Sequence, residues 1–161
     1  MHGDVKPQNV LVFNGEEGPA GYMAKMADFG YSSIFVEQAR LKMYGTEGWA
    51  APEYMKGMSA DFEAARRMDV FSLGLLCLWL LFYNRSETGV DDTTADFLAH
   101  RRSRTNLVDI ALRNVQASKE MDEETRKNLT SFFEQSLQHN TALRVVDCQT
   151  LLGLIAPYRC V

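Results

Sequence analysis

His2-Gly3-Asp4-Val5-Lys6-Pro7-Gln8-Asn9 is the stretch that decides how this chain reads. An acid, a lysine two places on and an asparagine five places on are packed into one short segment. Pro7 fixes its own φ and pushes Lys6 out of the helical region, so the segment reads as a rigid loop rather than a helix. A loop presenting these three side chains together suits a phosphorylated substrate. The carboxylate can orient a hydroxyl, the ammonium can neutralise phosphate oxygens, and the amide oxygen can hold a metal ion.

Outward from the loop, Val10 to Phe13 and Tyr22 to Met26 read as short strands. The turn formers of Asn14-Gly15-Glu16-Glu17-Gly18-Pro19-Ala20-Gly21 between them predict a hairpin with an enlarged, solvent-facing loop. The second strand delivers Ala27-Asp28-Phe29-Gly30: a metal-binding acid, an apolar packing anchor and a flexible joint. Periodicity is then lost from Tyr31 to Tyr44, until Gly45-Thr46-Glu47-Gly48-Trp49-Ala50-Ala51-Pro52-Glu53 closes the segment. Asp69-Val70-Phe71-Ser72-Leu73-Gly74 opens a run that is apolar on nearly all sides to Tyr83, as a helix surrounded by protein would be. Asp69 is expected at its N-terminus, where an acid is favourable. The run is too short to span a bilayer, so Trp79 and Phe82 read as core.

Further helices are expected over Asp96 to Arg104, Asn106 to Val115, Asp122 to Leu137 and Val146 to Ile155. Asp122, Glu123 and Glu124 fill the first turn of the third, with Leu129, Phe132, Phe133 and Leu137 on its apolar face.

The chain has 161 residues, enough for one domain with a real core. Its 46% hydrophobic and 24% charged residues are those of a globular protein. A net charge of −4 gives no electrostatic reason to expect nucleic acid or a membrane surface as partner. The basic cluster Arg101-Arg102-Ser103-Arg104 reads as a solvated helix end. Cys77, Cys148 and Cys160 have no metal-ligand spacing, and their odd number argues against a disulfide framework. With no apolar secretory segment after Met1, the expected location is intracellular: cytoplasmic, with the nucleus also compatible.

The four motifs, in this order, resemble those of the protein-kinase family: H-R-D-L-K-P-x-N for the first loop, D-F-G, G-T-x-x-[WY]-x-A-P-E, and D-V-[WFY]-S-[FL]-G. The resemblance implies an α+β, mainly α-helical fold: a kinase-like C-terminal lobe with a small β-hairpin and no N-terminal lobe. It covers residues 1–161, with a catalytic loop at 2–9, an activation segment at 28–53 and a helical subdomain at 54–161. It makes Asp4 the base and puts Lys6 on the γ-phosphate, with Asn9 and Asp28 on Mg2+ bridging the phosphates of ATP. Thr46 resembles the threonine that hydrogen-bonds the catalytic acid in serine/threonine kinases, and Lys6 points the same way. The substrate would then be a protein with a Ser or Thr acceptor. His2, Phe29 and Gly30 take structural positions of the family. Asp69 would brace the backbone of the catalytic loop. Glu53 would be buried beside Arg144, although the family's Asp-Pro ahead of that arginine is missing.

Departures from the pattern carry their own implications. Gly3 replaces an arginine that in the family grips a phosphorylated activation segment, so phosphorylation at Ser32, Ser33, Tyr44 or Thr46 is not expected to be required. Nothing reads as a glycine-rich phosphate loop or as V-A-I-K, parts that belong ahead of the catalytic loop. The expectation is an incomplete kinase lobe, inactive alone, whose exposed core needs the missing lobe or a partner protein to cover it. Two other readings stand beside it: a truncated pseudokinase-like lobe that binds proteins without catalysis, and a degenerate reading frame with no function of its own.

Overall fold

The computed structural model describes residues 1–15, 21–34, 40–54, 59–83 and 106–155. The expected helix over Asp96 to Arg104, the arginine cluster and the tip of the hairpin loop lie outside them. After an extended start the chain makes a single 3-10 turn at Pro7–Asn9, with Lys6 held extended ahead of the proline. Strands β1 (Val10–Asn14) and β2 (Tyr22–Met26) then pair antiparallel, with Val10 opposite Met26 and Asn14 opposite Tyr22. A second, minimal ladder joins β3 (Leu41–Lys42) to β4 (Ser59–Ala60). Among the described residues four helices follow: α1 (Phe62–Phe82), α2 (Leu107–Ala117), α3 (Glu123–Ser136) and α4 (Cys148–Gly153). The family's mixed, mainly helical architecture is therefore present.

Helix α1 is the axis of the core, and it starts well before the expected boundary. Asp61 caps it by accepting the Ala64 amide at 2.8 Å, Glu63 sits in its first turn, and no breaker interrupts the residues up to Met68. Asp69 is consequently interior to the helix, and its carboxylate is free for work outside it. Ala65, Val70, Phe71, Leu75 and Leu78 are buried on α1 against Phe132, Phe133 and Leu137 of the α3 region and Leu151 of α4. Trp79 and Phe82 are half-buried and pack against this cluster, Trp79 edge-on to the buried Trp49. At Gly74, a Cβ would lie 2.5 Å from Ser136 Oγ, so α1 and α3 approach each other at a point only glycine permits.

Helices α2 and α3 start within a residue of the expected positions, each behind a capping side chain. Asn106 accepts the Val108 amide and Asp122 the Thr125 amide. The final helix is shorter than expected, because Asp147 caps it at Cys148 and it ends at Gly153.

The hairpin carries a run of exposed apolar side chains. Leu11, Val12, Phe13 and Tyr22 are between 46% and 65% exposed, and neither face of the ribbon is covered by the described residues. No helix among the described residues is long and apolar enough to cross a membrane.

Candidate functional site

The extended start and the 3-10 turn fold the opening loop around Asp4, which is buried. Its Oδ1 accepts the Thr46 hydroxyl at 2.7 Å, and its Oδ2 meets Lys6 Nζ at 2.7 Å and Asn9 Nδ2 at 3.2 Å. Lys6 Nζ also donates to Thr46 Oγ1 at 2.7 Å, closing a ring of acid, ammonium and hydroxyl across 40 residues of chain. The Asn9 amide donates as well to the Asp4 carbonyl at 2.9 Å, which ties the two ends of the turn together.

Burial alone would raise the pKa of Asp4. The hydrogen bonds from Lys6 and Thr46, the charge of Lys6 and the bond from Asn9 together outweigh it and hold the carboxyl below its ordinary value of 3.8. The stabilisation from this cluster is thus fully present above pH 3.8 and is lost as pH falls through the lower folded value. Lys6→Met and Thr46→Val should each move the Asp4 midpoint upward in a carboxyl-carbon NMR titration. Lys6→Met should move it further, since it removes both a hydrogen bond and a charge. An unchanged midpoint in Lys6→Met would contradict this account of the site.

Asn9 and Asp28 come to the same end of the hairpin because β1 begins just after the one and β2 ends just before the other. The Ala27 amide donates to the Asn9 carbonyl at 2.8 Å, continuing the ladder to that point. Asp28 is exposed and adopts the left-handed conformation, φ 59°, with its Oδ1 accepting the Gly30 amide at 3.2 Å. Aspartate is among the few residues that tolerate this backbone, through such a local bond. With both amide hydrogens of Asn9 committed to Asp4, its Oδ1 is the atom left for a cation. Together with the Asp28 carboxylate it supplies hard oxygen donors of the kind Mg2+ prefers.

His2 lies under this joint. Its Nε2 is 3.1 Å from the Ala27 carbonyl, its Nδ1 accepts the Asp4 amide at 3.3 Å, and its ring meets Phe29 at 5.2 Å between centroids. Phe29 was expected to anchor by packing, but it is 64% exposed, with the His2 ring against it. It borders an open cleft lined by Met1, His2, Ser32, Ser33 and Ile34.

Two braces hold the loop. Asp69, reaching out of α1, accepts the His2 amide at 2.5 Å and the Gly3 amide at 2.9 Å. Burial raises its pKa, an effect these two amides oppose. At the far end of the 28–53 segment, Glu53 and Arg144 form a two-point pair, with Nη1–Oε1 2.6 Å and Nη2–Oε2 2.8 Å. Here burial falls opposite to the expectation: the Arg144 side chain is 0% exposed and that of Glu53 is 28% exposed. The arginine can be buried because its remaining N–H groups donate to the Gln138, His139 and Arg67 carbonyls. Its guanidinium also lies 4.6 Å from the Phe71 ring centroid.

Gly3 has a structural reason of its own. Its φ is +85° and a Cβ would stand 2.6 Å from the Tyr31 carbonyl oxygen, so the chain after Gly30 can close onto the loop only at a glycine. Several contacts were not legible in the sequence. Ser32 Oγ donates to the His2 carbonyl at 2.9 Å, Ser72 Oγ donates to the Trp49 carbonyl at 2.9 Å, and the Tyr31 and Tyr44 rings stack. Each joins residues at least 13 positions apart, and no local signal marks the pairing.

The model of the protein kinase domain family matches residues 1–152. Serine/threonine-protein kinase pakB of Dictyostelium discoideum is 35% identical over 80 residues, 48% of this chain and 8% of that protein. Serine/threonine-protein kinase pakA of the same organism is 38% identical over 79 residues, 47% of this chain and 6% of that protein. Aurora kinase B of Danio rerio is 35% identical over 85 residues, 52% of this chain and 23% of that protein. Each match therefore spans under a quarter of the relative's length.

Proposed function

The chain belongs to the protein kinase domain family, and from that premise we propose that it carries the phosphate-transfer machinery of a serine/threonine kinase. The observation that carries this reading is the closed ring of Asp4, Lys6 and Thr46, which joins the loop at 2–9 to the end of the segment at 28–53. Asp4 receives the acceptor hydroxyl beside the Thr46 hydroxyl, orienting its oxygen toward the γ-phosphate. An ionised carboxylate is a weak base in the ground state. It takes the proton only as bond formation to phosphorus makes the hydroxyl strongly acidic. Lys6, already beside Asp4, offers its ammonium to the phosphate oxygens.

ATP is the proposed donor, with Mg2+ held by Asn9 Oδ1 and Asp28; the ion would supply neutralisation of phosphate charge. The chain's own contribution is placement, which in phosphoryl transfer accounts for most of the rate. The substrate class is a protein Ser or Thr hydroxyl, met in the cytoplasm or nucleus. A cleft of about 740 Å³ lined by Tyr31, Lys42, Tyr44, Glu47 and Tyr54 adjoins Thr46 and gives a polypeptide somewhere to lie. The donor site would be completed by a phosphate-binding lobe elsewhere in the whole protein.

A second reading, a lobe that binds proteins without catalysis, is favoured by the exposed apolar hairpin. Labelled ATP and a Ser/Thr peptide separate the two. The whole protein should transfer phosphate in a Mg2+-dependent manner, and Asp28→Asn should abolish transfer. No transfer with ATP and Mg2+ in excess would favour the second reading.

A further inference from the structure

Tyr31 and Tyr44 stack face to face, with ring centroids 4.8 Å apart and planes 3° from parallel. We propose that this stack is a latch that holds the Thr46 hydroxyl against Asp4, making Tyr31 and Tyr44 positioning residues for the phosphate-transfer site. The inference rests on the reading of Asp4 and Thr46 given above, and it adds residues that no motif assigns.

The argument is one of connectivity. Tyr31 belongs to a stretch pinned onto the Asp4 loop. The Ser33 amide donates to the Met1 carbonyl at 3.1 Å, the Met1 nitrogen to the Ser33 carbonyl at 2.9 Å, and Ser32 Oγ to the His2 carbonyl at 2.9 Å. Gly3 lets the Tyr31 carbonyl come closer than any side chain would allow. Tyr44 belongs to the other wall, two residues before Thr46. The joint between them is Gly45, where a Cβ would stand 3.1 Å from that of Ala50 and 3.7 Å from the Gly3 carbonyl oxygen. The stack thus closes a circuit from Asp4 through Gly3 and Tyr31 to Tyr44, Thr46 and back to Asp4.

The stack is poorly placed to be core filler. Tyr31 is 44% exposed, and both rings line the open cleft rather than the packed interior. Lys42 Nζ lies 5.6 Å from the Tyr44 centroid, adding a cation to the same ring. What the stack fixes is therefore the distance between two walls, not the density of a core. Offset or parallel aromatic pairs supply such fixing with little entropy lost, each ring having only two side-chain torsions.

The test substitutes Tyr44→Ala, Tyr31→Ala, Tyr44→Phe and Tyr31→Phe in the full chain. It reads hydrogen–deuterium exchange of the Trp49 and Ala50 amides alongside helical circular dichroism. Both amides donate to the Thr46 carbonyl, so their exchange reports whether Thr46 is held in place. The alanine variants should therefore speed that exchange several-fold with helical signal unchanged, and the phenylalanine variants should keep the wild-type rate. Alanine variants that leave the exchange as it was would overturn the proposal. So would phenylalanine variants that speed it as far as alanine, since the phenol and not the stack would then matter. If Tyr44→Ala loses helical signal, Tyr31→Ala at the exposed partner carries the test alone.

In the whole protein the alanine variants should lower kcat by on the order of tenfold to a hundredfold, as displaced reacting groups do. The exchange measurement needs no phosphate transfer. A wild-type protein that transfers no phosphate, while its alanine variants speed the exchange, would sink the functional reading and leave the latch standing.

Discussion

Asp4→Asn should lower kcat for phosphate transfer by about a thousandfold in the whole protein, with KM for ATP nearly unchanged. The size follows from what the substitution leaves in place. Asparagine has the shape of aspartate, so the buried site keeps its volume, and its carbonyl can still accept the Thr46 hydroxyl now held at 2.7 Å. Its amide, however, would turn hydrogens toward Lys6 Nζ, now 2.7 Å from Oδ2, where only an acceptor belongs. The site would lose its proton acceptor and the partner of its ammonium, while Asp28 and Asn9 Oδ1 would remain. Steady-state kinetics with a Ser/Thr peptide, beside a thermal melt, reads both effects. A kcat within tenfold of wild type would remove Asp4 from the chemistry, whatever else the loop does.

Arg144→Ala should cost about 4 kcal/mol of folding stability, and Glu53→Gln roughly half as much. The asymmetry follows from what each substitution leaves behind. Glu53→Gln keeps a side-chain carbonyl that still accepts from the Arg144 guanidinium. Removing Arg144 leaves the Gln138, His139 and Arg67 carbonyls without their donor and opens a void against Phe71. Against a total stability of about 5–15 kcal/mol, such a loss is enough to unfold much of the protein near body temperature. Urea denaturation at low and high salt checks both parts. The loss should persist at high salt, because a buried pair is little screened. A cost below about 1 kcal/mol for Arg144→Ala would assign the pair to the weak surface class.

Local chemistry explains which parts of this molecule are legible in its sequence. The loop conformation at Lys6-Pro7, the strands flanking Gly15 and Gly21, and the starts of the helices after Asn106 and Asp122 depend on a few neighbouring residues, and each reads directly. The order of motifs gives the family. Helix α1 starts ahead of the apolar run after Asp69, because Asp61 caps a polar first half with Arg66 and Arg67. Once Asp69 is interior to the helix, its carboxylate is available for the His2 and Gly3 amides. Gly3 reads from sequence as a missing arginine. The fold gives it a positive reason, the approach of the Tyr31 carbonyl. The Tyr31–Tyr44 stack and the burial of Arg144 rather than Glu53 depend on how distant segments dock, which composition and spacing do not encode.

The most direct test of the central claim is the identity of the phosphorylated product. The whole protein carrying this sequence is incubated with labelled ATP, Mg2+ and a peptide mixture offering Ser, Thr and Tyr, with Asp28→Asn in parallel. Label on Ser and Thr, absent in the Asp28→Asn reaction, is the result predicted by the ring of Asp4, Lys6 and Thr46. No label on any peptide, or label that Asp28→Asn leaves undiminished, would contradict it.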